Sequence, residues 1–197
     1  MMISWKEAEA RAAAGGTITR QELKEIIARG SSRTADEFDR LLHACPEWVA
    51  EHEEREAKRR ALEVQYHAEE ELMLADLRRV GYRLTSVYDF VNSADSYPEA
   101  IPVLLDHLRR PYSNRIKEGI ARALSVREAR GLAGTAIIDV LRQSDDNDLS
   151  CRWALANALT IVADRSVRED IKALIANETS DDVRNRLTRA LKTAAKP

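Results

Sequence analysis

The sequence predicts an all-α protein, and three observations carry that expectation. Gly and Pro number only seven and five in 197 residues, too few for the turn-rich spacing of a sandwich or barrel. Ala and Leu dominate the apolar residues while aromatics make up 5% of the chain, a bias toward helix. Apolar residues then recur at three- and four-residue spacing behind Ser/Thr-x-x-Glu signatures, as in capped amphipathic helices.

Taken in order, Ser4 with Glu7 opens a short helix that Gly15-Gly16 closes. Thr19 with Glu22 opens a second, striped by Leu23, Ile26 and Ile27 and ending before Gly30. Thr34 with Glu37 opens a third, with Phe38, Leu41 and Leu42, limited by Pro46. Residues 1–46 thus form a small helical element. Residues 47–80 contain no Gly or Pro and predict one long helix, about 50 Å if unbroken, which Gly81 stops. Its first half is almost wholly polar, with pairs of favourable sense at Glu51/Arg55, Glu54/Lys58 and Glu56/Arg60. Leu62, Tyr66, Met73, Leu77 and Val80 give it one apolar seam, the first four a candidate contact for a homodimer. The runs Glu51 to Glu56 and Glu69-Glu70-Glu71 read as a solvated face, or as an attraction for basic partners. A short segment with Val87, Phe90 and Val91 completes a middle section over 47–96, and Leu72 to Val91 is expected to cap the C-terminal part of the chain.

Residues 97–197 read as a repeated unit. Three Ala-Leu pairs, Ala123-Leu124, Ala158-Leu159 and Ala190-Leu191, are spaced 35 and 32 residues apart. Each ends one template, apolar-basic-x-x-apolar-x-x-Ala-Leu, which begins at Ile116, Cys151 and Val183. Each copy comes after a first helix, Pro98 to Leu108, Ala133 to Leu141 and Val167 to Ile175. The loops between paired helices, around Pro111-Tyr112-Ser113, Ser144-Asp145-Asp146 and Asn177-Glu178-Thr179, are rich in turn residues. Such pairs cannot hide an apolar face alone, so they stack on their neighbours. At the end of the stack, Arg186, Arg189 and Lys192 keep one face of the last helix wet.

This template resembles the HEAT-like repeats of short bacterial α-solenoids, including those of phycobilin-lyase-like proteins, over about residues 97–192. The third copy, Asp181-Asp182-Val183-Arg184 through Leu187 to Ala190-Leu191, is nearest the usual form. The resemblance implies a three-pair solenoid with the second helices lining a concave wall. It also implies a ladder between repeats in which Arg152 and Arg184 take the arginine position and Asp182 the acid. The first copy departs, with Lys117 at the basic position and Arg115 where an acid is usual. In function the resemblance implies an adaptor, inhibitor or immunity-type role in a bacterial cytoplasm. A lyase-like enzyme or a chaperone for a chromophore-bearing protein rests on the resemblance alone.

On the second helices, Glu118, Trp153, Asn185, Arg122, Asn157 and Arg189 point away from the apolar stripe and are the candidate partner-binding residues. Trp153 reads as an interface anchor, as a ring folded over a neighbouring helix, or as a base-stacking platform. Lys117, Arg152 and Arg184 flank the stripe and serve either inter-repeat hydrogen bonding or an anion-facing column. Net charge is -2 over the chain, which excludes a surface built throughout to embrace nucleic acid or an anionic membrane. Gln21 to Leu42 has the layout of a helix-turn-helix, but Asp36, Glu37 and Asp39 would meet the phosphates.

His43, His52, His67 and His107 share no metal-ligand spacing, and no phosphate-cradling Gly loop or serine nucleophile motif occurs. Neither a cofactor nor a catalytic constellation is therefore expected. Cys45 and Cys151 lie far apart, which fits a reducing compartment. No signal peptide or membrane span is read, so the expected location is cytoplasmic. Together these features predict a non-enzymatic protein-binding module acting through the concave face. The alternative is nucleic-acid binding through the N-terminal helix pair or a basic groove.

Overall fold

The computed structural model describes residues 3–29, 34–145 and 147–195. Among the described residues the regular structure is helical throughout, without strands. The chain divides into two compact units, residues 1–64 and 65–197, and the division falls inside one helix.

In the first unit α1 (Trp5–Ala13), α2 (Arg20–Ala28) and α3 (Ala35–His43) each begin at a Ser or Thr. All three predicted capping boxes form: the hydroxyl takes the N3 amide, and the N3 glutamate reaches back to the cap's own N–H. Hydrogen bonds from Ser4 and Thr19 hold the Glu7 and Glu22 carboxyls below the usual carboxylate range. Ile3, Ala8, Ile18, Leu23, Ile26, Leu41 and Cys45 form a small core, with Trp5 and Trp48 packed against it.

Helix α4 (Pro46–Arg79) is continuous. Pro46 stands at its first position, where no backbone donor is lost, and Gly81 ends it with a φ of 101°, which a side chain rarely tolerates. Of the predicted i,i+4 pairs Glu54/Lys58 forms. Glu51 instead pairs with Arg20 of α2, and Arg59 bridges Glu56 and Glu63. The expected seam is not one surface. Leu62 and Val80 are exposed, whereas Met73 and Leu77 are buried in this chain's own core together with Leu74. Those two residues are therefore not available to a second copy.

In the second unit three helix pairs succeed one another: α5 (Ala100–Leu108) with α6 (Asn114–Ala123), α7 (Gly134–Gln143) with α8 (Leu149–Val162), and α9 (Arg168–Asn177) with α10 (Asp181–Thr193). Contacts also run from α5 to α7 to α9, and from α6 to α8 to α10. The template positions are the core: Ile116, Ile120, Ala123 and Leu124; Cys151, Leu155, Ala158 and Leu159; Val183, Leu187 and Ala190 are all buried. Leu191 is half-buried at the last helix.

As expected, the segment before the first pair packs on it. The 3-10 turn Val87–Asn92 lies against α6 at Gly119, where an added Cβ would meet Val87 at 2.6 Å and Tyr88 at 2.8 Å. Leu72 and Val91, at the ends of the predicted cap, remain exposed. The Glu69-Glu70-Glu71 run is not a uniformly solvated face. Glu70 is buried and accepts the Val87 amide at 3.0 Å and the Ser86 hydroxyl at 3.3 Å, while Glu69 accepts the Ser113 amide. Glu70 lies three, four and seven residues before Met73, Leu74 and Leu77, so helical periodicity turns it onto the buried face.

Candidate functional site

The second helices bring Arg122, Trp153 and Arg186 together. Trp153 of α8 is half-buried between its neighbours, with the guanidinium of Arg186 (α10) 4.5 Å and that of Arg122 (α6) 5.7 Å from the ring centroid. Both distances allow cation–π attraction. On α6, Arg115 stacks at 4.1 Å on Tyr88, whose hydroxyl donates to the Arg115 carbonyl at 3.0 Å. Burial, with Glu118 nearby, pushes the Tyr88 phenol up to about 12, so the ring stays neutral.

Glu118 is a correction to the partner-binding set. It is 8% exposed, bound by Arg122 at 2.8 Å and by the Ser150 hydroxyl at 3.0 Å, which engages its carboxylate inside the fold. Asn157 is half-buried next along α8; Asn185 and Arg189 are exposed on α10. Trp153 itself packs against the core as well as facing outward, so the anchor reading and the packing reading describe two parts of one ring.

The flanking basic residues separate. Arg152 is 7% exposed and forms an ion pair with the similarly buried Glu178 at 2.6 Å, while its guanidinium also donates to Ser144 Oγ at 2.9 Å. It ties α8 to the turn between α9 and α10 and is an inter-pair bond rather than a ligand-facing cation. Arg184 binds Asp181 at 2.6 Å and donates to the Glu178 carbonyl. Asp182 forms no ion pair among the described residues, and Glu178 takes the acid's part at Arg152. Lys117 has no carboxylate partner among the described residues. A cleft of about 370 Å³ opens between these elements, lined by Leu141, Arg142, Ser144, Arg152, Leu174 and Glu178. The Arg152–Glu178 bond occupies its wall.

The two rows of helices differ in charge. Helices α6, α8 and α10 carry eight Lys or Arg and three Asp or Glu, whereas α5, α7 and α9 carry three and four. In the second row the ion pairs engage Arg115, Arg122, Arg152 and Arg184. Among the described residues Lys117, Arg186, Arg189 and Lys192 have none.

The remaining candidates hold structural posts. His107 is fully buried; Nε2 faces Asp76 of α4 at 3.0 Å and Nδ1 faces the Tyr112 hydroxyl at 2.7 Å, linking helix to helix. His43 turns to the Asp39 carbonyl at 2.9 Å, and Cys45 donates weakly to Glu47 at 3.5 Å, so the two make no Cys–His couple. Burial pushes both thiols up, that of Cys151 to about 12, and keeps them protonated near neutrality. Among the described residues no three His, Cys, Asp or Glu side chains gather in a metal-binding cluster, and no helix is long and apolar enough to cross a membrane. The predicted helix-turn-helix has its turn, residues 30–33, outside the described residues; Asp36 and Asp39 stand exposed on the helix that would enter the groove.

Comparison with protein-family models, with curated proteins and with solved structures gives no match.

Proposed function

We propose that the protein is a non-enzymatic protein-binding module, a short HEAT-like stack whose binding wall is the face of α6, α8 and α10. One observation carries this reading: Trp153 sits partly exposed at the middle of that face, braced on both sides by side chains of adjacent helices. A rigid aromatic with a polar surround is the usual form of an interface anchor. It needs little ordering on binding, because the packing of the free protein already fixes it. Adaptor, inhibitor and immunity-type roles all use a surface of this kind.

The test is copurification from the native host with the wild-type chain, Arg189→Ala and Trp153→Ala. Arg189 is exposed and without an ion pair among the described residues, so its replacement is expected to move the melting temperature by no more than about 2 °C while weakening partner capture. Trp153→Ala is expected to abolish capture with its helical circular dichroism retained. Capture undiminished in both variants would sink the proposal.

A further inference from the structure

We propose that the partner presents an acidic segment to this face, its carboxylates held by Arg186 and Arg189 on the helix beside Trp153; this deepens the protein-binding reading and rests on it. The first support is the charge imbalance. The second-helix row has a surplus of cations, while the first-helix row is nearly neutral. Elsewhere in the fold some arginines find carboxylates: Arg11 pairs with Glu22, Arg40 with Glu9, Arg110 with Asp106 and Arg142 with Asp170. Among the described residues Arg186 and Arg189 do not, and Arg115 has only a 4.0 Å approach to a Glu118 already engaged by Arg122.

Position adds a second support. Arg186 and Arg189 are three residues apart on α10 and share a face. Trp153 and Asn157, four apart on α8, stand on the neighbouring helix, and the bond from the Thr193 hydroxyl to the Thr160 carbonyl at 2.9 Å continues the same contact line. An extended acidic strand along this line would find a guanidinium held on an indole, then a solvent-facing one, with an amide between. A guanidinium pre-positioned on an aromatic ring loses less freedom when it takes a carboxylate in a two-bond fork. The exposed acids of α10, Asp181 and Asp182, both stand in its first turn, which places the strand toward the later turns of that helix.

The aromatic rings decide between an acidic peptide and a nucleic acid. Stacking needs an uncovered ring face. Arg186 and Arg122 already flank Trp153 from opposite neighbouring helices, and Arg115 covers Tyr88. These rings organise cations instead of receiving bases.

The experiment is a titration of fluorescently labelled poly-L-glutamate and of an oligothymidylate of equal length into the full chain, at low and moderate ionic strength. Poly-L-glutamate is expected to bind more tightly than the oligothymidylate, and more weakly as salt is raised. The double variant Arg186→Glu/Arg189→Glu is expected to lose about tenfold in that affinity. Lys172→Glu on α9, in the other row, is expected to lose less than about twofold. No poly-L-glutamate binding at low salt, tighter binding of the oligothymidylate, or equal losses in the two variants would overturn the proposal. A partner captured in a Trp153-dependent way, together with absent poly-L-glutamate binding, would end this proposal and leave the protein-binding reading standing.

Discussion

Gly119 shows how much a single missing side chain can decide. It lies inside α6, where alanine would ordinarily stabilise a helix by about 1 kcal/mol. Here the hydrogen that replaces a side chain lets Val87 and Tyr88 sit directly on the helix backbone. Val87 is buried, and its neighbours in the core leave it little room to withdraw. Overpacking of this kind costs about 1–3 kcal/mol, which outweighs the propensity gain. Gly119→Ala is therefore expected to lower the urea midpoint, and Val87→Ala in the same chain is expected to recover part of the loss. Independent, additive losses in that double-mutant cycle would refute the contact.

The elements are legible in the sequence where their signals are local. The Ser4, Thr19 and Thr34 boxes each join residues three apart, so their partners stand side by side in the chain. The helix pairs are legible because the Ala-Leu template recurs, and its apolar positions are the buried ones. Glu70 is not legible as a buried cap, because the amide it accepts belongs to Val87, seventeen residues away. Glu178 is hidden in the same way, its partner Arg152 lying twenty-six residues earlier. The Trp153 face is half legible: the indole stands out, but sequence alone shows Arg186 only as one of the residues keeping the last helix wet.

The 3-10 turn at Val87–Asn92 carries its own acid sensitivity. Burial pushes the Asp89 carboxyl up, but the amides of Thr85 and Ser86 and the Thr85 hydroxyl outweigh it and hold it below its ordinary value. A depressed carboxyl contributes stability that is complete above its unfolded value, about 3.9. That contribution is lost as pH falls through the lower folded value. Wild type is therefore expected to exceed Asp89→Asn in stability at neutral pH, and the gap is expected to close below about pH 4. Chemical denaturation of both chains across that range measures it; a gap independent of pH would contradict the assignment.

Helix α4 runs through the division between the two units. Residues 57–65 of that helix are exposed without interruption, and what supports them is backbone hydrogen bonding with exposed ion pairs at Lys58 and Arg59. Such exposed pairs contribute little and weaken with salt. Hydrogen exchange is expected to be fastest within α4 over this stretch and slowest near Met73 and Leu77, which the core encloses. Uniform protection along the helix would mean that another surface covers the middle.

The Arg152–Glu178 bond has a consequence for how the protein could be shortened. Helix-pair arrays are commonly treated as modular, each end unit removable with the loss of one interface. Here the carboxylate that neutralises a charge embedded in the second pair is supplied by the turn inside the third. Deleting α9 and α10 would take that carboxylate away and leave Arg152 with the Ser144 hydroxyl and the Leu141 and Ser144 carbonyls as its acceptors, a loss beyond the uncovered area alone. The last hairpin is thus a counter-ion for α8 as well as a cover over it.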